Sequence, residues 1–462
     1  MSTHLKVDTT STQTAEDIYP YGKKYSYYVL MLLFALMAFD IMDRQVITAL
    51  LGSLKAAWGL SDKQIALLMG SVNISIALLA FPSAFMVDRW SRKNMVGIMA
   101  MFWGLATLAC AFTGNYAQLL FLRFLVGAGE AGYGPGSSSI IQSYFPPRKI
   151  NGVLGFMLAA VPIGGLIGVI VGGVIVQHWG WRHAFGVVAL PGILVAILVF
   201  FIKEPARVVI TRVSEVSGQK EEMPLRAVLK KIFTTPTLVC IYLAMASTLL
   251  FTVCLANWTP SYFARMEGLS PQAAAFKAAG IMLVQAAGAW VGGIIADRAV
   301  RKSSHAHLLC AAFYMLMVFL GFGIGFTIVP QHMVYLILLI SSFFSGAMFG
   351  PAYNSVMRVS PNGARATAIG LLVVVQNVLG MAFGLILSGV LSDFFMKMYT
   401  TGALTVSEHA LTINNGNMAA AATAMGLKAA LATLSVSPLI AAVLFYAASR
   451  FYKKDCDLAD KF

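Results

Sequence analysis

Asp88-Arg89-Trp90-Ser91-Arg92-Lys93 and Asp297-Arg298-Ala299-Val300-Arg301-Lys302 are two versions of one charged hexapeptide, and each follows the second long apolar run of its half of the chain. A second echo, Gly134-Pro135 against Gly350-Pro351, falls in the fourth run of each half. Repeats in matching places imply a duplicated unit, hence two pseudo-symmetric halves with a pathway between them.

Outward from the hexapeptides, the chain divides into stretches of the roughly 20 apolar residues that a spanning helix needs. They lie near 27–50, 63–86, 94–114, 116–143, 150–176 and 182–202, then near 236–263, 274–296, 306–328, 333–357, 366–392 and 425–448. The expected fold is an all-α membrane protein, twelve transmembrane helices in two six-helix bundles. Its expected parts are an N-terminal tail (1–26), a first bundle (27–202), a linker (203–233), a second bundle (234–449) and a C-terminal tail (450–462). The linker is the longest charged segment, running from Lys203 and Glu204 to Lys230 and Lys231.

Composition agrees. Of 462 residues, 58% are hydrophobic and only 11% charged, against about 25% charged in soluble domains. The net charge of +14 comes from basic residues scattered between apolar runs, whereas nucleic-acid binding would cluster them. Most of the 33 Lys and Arg fall on one side if both termini are cytoplasmic, the arrangement the positive-inside rule favours. Five cysteines without a CxxC pair indicate neither a disulfide framework nor a zinc site. No G-x-x-x-x-G-K-[ST] sequence or nucleophile–base set appears, so neither ATP-driven pumping nor enzymatic catalysis is expected. No cofactor is expected, the energy source being a proton gradient. The expected setting is a bacterial inner (plasma) membrane, with the protein acting as a monomer.

These features resemble the major facilitator superfamily. Its cytoplasmic signature reads roughly G-x-x-x-D-R-x-G-R-K, and Gly293 to Lys302 fits it except at Val300. The first copy departs at Ala84 and Ser91. Gly155, Gly164, Gly168, Gly172 and Gly173 in span five keep the glycine spacing of an antiporter motif but have Val169 where proline is usual, which reads as close helix packing. Within the superfamily the chain is similar to the spinster transporters through Met42-Asp43-Arg44, Asp88 to Lys93, and Arg123-x-x-x-Gly127-x-Gly129-Glu130-Ala131. That resemblance implies proton-linked movement of lipid-like molecules.

Five charged residues lie well inside the expected spans, away from their ends: Asp40, Asp43 and Arg44 in the first, Arg123 and Glu130 in the fourth. Charge at bilayer depth is costly unless paired or wet, so each is a functional candidate. Asp40, Asp43 and Arg44 are related by i, i+3 and i+4, which puts them on one helical face; Arg123 and Glu130 are two turns apart on one face. In the superfamily fold, spans one and four both line the central cavity. Three acids against two arginines leave one negative charge in excess, which a single proton cancels, and low dielectric disfavours a charged carboxylate. Glu130 is therefore expected to be the principal proton site, with Asp43 second, and with Arg44 and Arg123 biasing which acid holds the proton. The alternative makes Asp40–Arg44 and Asp43–Arg123 permanent salt bridges that fix helix packing, a scheme in which Glu130 has no basic partner.

The second half offers no comparable charges. Its candidate cavity residues are Asn257, Trp258, Gln285, Tyr353, Asn354, Gln376 and Asn377, a set suited to an amphipathic substrate or simply to helix packing. Asp88, Arg89 and Arg92, with Asp297, Arg298 and Arg301, are expected to form a cytoplasmic gate, the acids facing positive helix N-termini of the other half. The leading expectation is a proton-coupled transporter of an amphipathic or lipid-like substrate. The alternatives are a proton-coupled symporter of a small organic anion, held by Arg44 or Arg123, and a non-transporting receptor.

Overall fold

The computed structural model describes residues 19–89, 91–146, 153, 156–157, 159–203, 232–300, 303, 305–360 and 365–459. Within them every regular element is helical. The first half supplies span one (Lys23–Trp58), span two (Asp62–Arg89), span three (Arg92–Cys110), span four (Tyr116–Glu130 and Tyr133–Tyr144), span five (Ala160–Trp179) and span six (Trp181–Phe200). The second half supplies span seven (Pro236–Glu267), span eight (Pro271–Val300), span nine (Ala306–Thr327), span ten (Gln331–Ala347 and Phe349–Val359), span eleven and span twelve (Met418–Leu434 and Val436–Ala459). Span eleven runs as Arg365–Val375, a π-helical stretch Gln376–Ala382, and Phe383–Thr400.

Among the described residues, eleven stretches are by themselves long and apolar enough to cross a membrane. Span four is the twelfth, and it misses that count because it breaks at Ala131-Gly132, leaving two pieces each too short to cross. Several helices overrun the apolar cores read from sequence; span one starts at Lys23 and ends at Trp58. Most of the expected linker, 204–231, lies outside the described residues, as do positions 150–152 at the expected start of span five.

Local chemistry sets the boundaries. Span one stops at Gly59 (φ 63) and span seven at Gly268 (φ 65), left-handed positions that glycine adopts without strain. Ser91 caps span three and Asn115 caps span four, each side chain accepting a hydrogen bond from a backbone N–H three residues on. Small residues set the helix spacing. A Cβ at Gly168 or Gly172 would come within 2.7 Å of the Met42 carbonyl or 2.9 Å of the Val46 carbonyl, so span five lies directly on the backbone of span one.

With twelve spans crossing in alternation, span one begins and span twelve ends on the same side of the bundle; at the opposite side, called here the far end, described residues of the two halves meet. One apolar core runs through the second half and, at the far end, mixes first-half residues (Leu50, Leu54, Ile65, Leu68) with second-half ones (Tyr262, Phe263, Ala274). Toward the termini the first half keeps a separate core, Leu33, Val96, Trp103, Tyr144 and Val199 among its members, to which the second half contributes none of the described residues. Glycine again permits the contact. A Cβ on Gly389 of span eleven would collide with the Asp62 carbonyl and Ala66 of span two, and one on Gly173 of span five with Ala275 of span eight.

Candidate functional site

Two charge sets sit where spans one, three and four converge. In the first, Arg123 Nη1 donates to both oxygens of Asp43 at 3.2 and 3.3 Å, and Thr107 of span three donates to Asp43 Oδ2 at 2.8 Å. The Arg123 and Asp43 side chains are 1% and 2% exposed. This set is electrically balanced and closed to solvent, which is what a buried pair needs in order to survive its desolvation.

The second set is unbalanced. Arg44 donates from Nε and Nη2 to Asp40, one turn back on the same helix, at 3.3–3.4 Å. The same Nε lies 2.9 Å from Glu130 Oε2 of span four. One guanidinium thus serves two carboxylates. The Glu130 side chain is fully buried while Arg44 remains 26% exposed, so of the two sets only this one is accessible to solvent, through Arg44. The Arg44–Glu130 approach is close but poorly aligned, and neither Glu130 oxygen accepts a directional hydrogen bond.

The expectation that Glu130 has no basic partner is therefore corrected. Arg44 reaches it from span one because span four is drawn tightly inward: a Cβ at Gly127 would collide with the Val72 carbonyl of span two, and one at Gly129 would come within 2.8 Å of Trp103 of span three. The Asp40–Arg44 pairing is present as spacing suggested, and Asp43–Arg123 as the expected meeting of spans one and four implied. The excess negative charge belongs to Asp40, Arg44 and Glu130, because Asp43 is matched by Arg123.

The second-half candidates do not form one cluster. Tyr353 donates to Gln376 Oε1 at 2.8 Å, at the first residue of the π-helical stretch. Gln285 donates to Ser345 at 3.2 Å, and Ser345 in turn contacts Thr252. Asn257 and Asn377 each donate to the carbonyl four residues back, Val253 and Val373. Trp258 is corrected from cavity lining to packing: it is fully buried and its ring N–H is spent on Ser388 of span eleven at 2.8 Å. The side chain of Asn354 lies outside the described set.

Of the expected cytoplasmic gate, Arg92 donates to Ser143 at 3.4 Å within its own half, and Arg298 is exposed. The side chains of Asp88, Arg89 and Asp297, and Arg301 altogether, lie outside the described residues.

Sequence reading missed the cluster at the far end. Asp62 receives Lys55 Nζ at 2.7 Å, Arg265 Nη1 and Nη2 at 2.8 and 2.9 Å, and the Ser392 hydroxyl at 2.6 Å. Asp393 of span eleven accepts the backbone N–H groups of Asp62 and Lys63 at 2.9 and 2.8 Å, capping span two from the opposite half. Asp62 is 1% exposed. A signal was available: Gly59-Leu60-Ser61 and Gly268-Leu269-Ser270 form a third internal repeat, at the same offset as the hexapeptides, with Asp62 standing where the second half has Pro271.

Two bundles, paired intramembrane charges and a polar seal at one end are the parts of a carrier with a central pathway, and the sequence profile described as Major Facilitator Superfamily matches residues 33–385. The chain belongs to the Major Facilitator Superfamily. It is a spinster-like, multi-pass membrane transporter of a small-molecule substrate and not an enzyme. Protein spinster homolog 1 of Xenopus laevis is 26% identical over 394 residues, which cover 81% of this chain and 74% of that one. The cis,cis-muconate transport protein of Acinetobacter baylyi is 25% identical over 346 residues, 73% of this chain and 81% of that one. A crystal structure of a bacterial homolog to the human lysosomal transporter Spinster, inward-facing and unoccupied, superposes with a TM-score of 0.81 at 25% identity, covering 94% of this chain and 99% of that one.

Proposed function

We propose that this superfamily member is a proton-coupled carrier of an amphipathic or lipid-like substrate, working by alternating access. The observation that carries the reading is one guanidinium, Arg44, shared by Asp40 and Glu130. With all three ionised the set holds one uncompensated negative charge beside the pathway; a proton on Glu130 neutralises it. Proton binding and release then change the charge balance between spans one and four, which is a local event able to bias a rocking equilibrium between the halves. The resemblance to the spinster transporters, which implies lipid-like cargo, supports a lipid-like substrate, and the uncharged second-half groups Gln285, Tyr353 and Gln376 suit such a molecule. Both termini are assigned to the cytoplasm from the Lys and Arg asymmetry, in a bacterial inner membrane. The far end then faces outward, and the ties on Asp62 must part for the pathway to open there. The protein is assigned as a monomer.

A second reading, proton-coupled symport of a small organic anion, is favoured by the exposed edge of Arg44 and by the muconate-named relative. Purified protein in liposomes decides between them. Flux of a labelled lysophospholipid and of a labelled small dicarboxylate would be followed with and without a pH gradient, for the parent and for Glu130→Gln. The proposal expects gradient-driven lipid flux that Glu130→Gln abolishes. Dicarboxylate flux alone would transfer the assignment to the anion, and gradient-driven flux that survives Glu130→Gln would clear Glu130 of the proton role.

A further inference from the structure

The two halves differ most sharply at the far end. Spans five and six are joined at Gly180 alone (φ 84), whereas the corresponding spans eleven and twelve are separated by 401–417, a segment with a helix of its own, Glu408–Ile413. The extra segment is well fixed. Ser407 caps its helix by accepting from the Ala410 N–H at 3.3 Å, Ala410 is fully buried, and the chain leaves through Asn415 (φ 53) and Gly416 (φ 77) into the Asn417 cap of span twelve.

Besides packing on span twelve, this helix touches the end of span seven. The last carbonyls of any α-helix lack partners within the helix and must find them elsewhere. Here Asn414 Nδ2 lies 3.4 Å from the Arg265 carbonyl, while also donating to Ala410 O at 2.8 Å, and His409 Nε2 lies 3.2 Å from the Met266 carbonyl. Ile413 lies across the left-handed turn at Gly268, its Cγ2 3.2 Å from where a Cβ would stand. Three points on the end of span seven are thus held by one external element. The first of them is the backbone of Arg265, whose side chain makes the two-pronged contact with Asp62 across the halves.

A bidentate guanidinium–carboxylate contact needs both partners within a narrow range of position and angle. The last turn of a helix frays unless its carbonyls are satisfied. We infer that the segment 408–414 is an external latch, in which Asn414 and His409 are positioning residues that hold the end of span seven so that Arg265 meets Asp62 and the far end stays closed. The inference rests on reading the Asp62–Arg265 contact as the outer gate, but not on the identity of the substrate or on proton coupling. It also accounts for the asymmetry between halves. The gate arginine is carried by span seven, and only the half that contains span seven has a brace.

The test reads opening of the far end directly. A crevice of about 250 Å³ runs there between spans one, seven and eight, lined by Thr48, Gly52, Ser53, Ser261 and Arg265 among others. In full-length protein in liposomes, Ser53→Cys would be labelled with a membrane-impermeant maleimide, and label at that position counted by peptide mass spectrometry, so that the native cysteines do not interfere. Asn414→Ala is expected to raise the labelling rate about five-fold, the weight of one net hydrogen bond. His409→Ala should act in the same direction, and His409→Gln, which keeps a donor, should stay near the parent. On an Arg265→Gln background, where the gate is already parted, Asn414→Ala should add nothing. Unchanged labelling in both alanine variants overturns the latch. So does an increase of equal size with and without Arg265, which would mark the segment as a general brace of the fold. If Arg265→Gln itself leaves labelling unchanged, the Asp62–Arg265 contact is no gate; the latch falls with it, while the proton and substrate assignments stand.

Discussion

Arg44 Nε lies 2.9 Å from Glu130 Oε2 while the same guanidinium holds Asp40, so one positive charge from span one is divided between a carboxylate of its own helix and one of span four. Arg123, two turns before Glu130 on span four, makes the opposite choice and gives itself wholly to Asp43. The two arginines therefore divide the work. Arg123 with Asp43 and Thr107 forms a sealed strut between spans one, three and four. Arg44 sits in a set whose neutrality depends on a proton.

Asp40→Asn tests that division. Removing the Asp40 charge leaves Arg44 and Glu130 as a one-to-one pair, neutral without a proton. Substrate flux down its own gradient should persist, while stimulation of flux by a pH gradient should fall toward none. Stimulation at the parent's level would show that Asp40 does not enter the proton count.

The strut makes a contrasting prediction. Arg123→Leu leaves the Asp43 carboxylate buried without its counter-ion, and breaking a buried pair from one side costs about 3–5 kcal/mol. Thermal unfolding of the purified protein in detergent should show that loss, and Asp43→Asn combined with Arg123→Gln should recover most of it. A single substitution costing less than about 1 kcal/mol would mean that the pair behaves as an exposed one.

Spacing alone made the Asp40–Arg44 contact readable, because residues four apart on a helix are neighbours wherever the helix lies; Asp43–Arg123 was readable only through the superfamily resemblance, which brings spans one and four to one cavity, and Thr107 was not readable at all. The Arg44–Glu130 contact was not readable. It depends on how far span four is drawn toward spans two and three by Gly127 and Gly129, a depth that the glycine run suggests without fixing. Twelve spans were legible from apolar length, but the break at Ala131-Gly132 was visible only as a run of glycines that packing or bending explains equally well. Asp62 was passed over because a charge at the edge of an apolar run reads as loop. Its role comes from partners more than 200 residues away, Arg265 and Ser392, which no local pattern brings together. Trp258 shows the converse error, since an aromatic beside a polar residue reads as cavity lining until the partner for its ring N–H, Ser388, is seen.

The far-end cluster should respond unequally to charge exchange. Asp62→Asn loses the ionic part of the contacts to Lys55 and Arg265, and should shift the protein toward the state open at that end. Reversing the pair, Asp62→Arg with Arg265→Asp, should rescue closure only in part. The reversed arginine would face Lys55 and would have no use for the Ser392 hydroxyl as a donor. Distances between spin labels at Lys63 and Gln272, on opposite halves, report the outcome. Full rescue by the exchange would reduce the cluster to its Asp62–Arg265 component.

Closure of the far end also depends on steric fit, which separates it from electrostatics. Gly389 of span eleven faces Ala66 and the Asp62 carbonyl of span two, and a single added methyl would overlap both. Those atoms belong to the other half, so the overlap exists only while the far end is closed; once the halves separate, the methyl has room. Gly389→Ala should therefore leave the unfolding temperature close to the parent's while lengthening the Lys63–Gln272 distance and raising label uptake at Ser53→Cys. Gly186→Ala in span six is the matched control, since a Cβ there meets nothing within 4 Å, and the same change from glycine to alanine should leave both readouts where they were. If the two variants behave alike, the tight approach at Gly389 is not what holds the halves together, and closure rests on Asp62 and its partners alone.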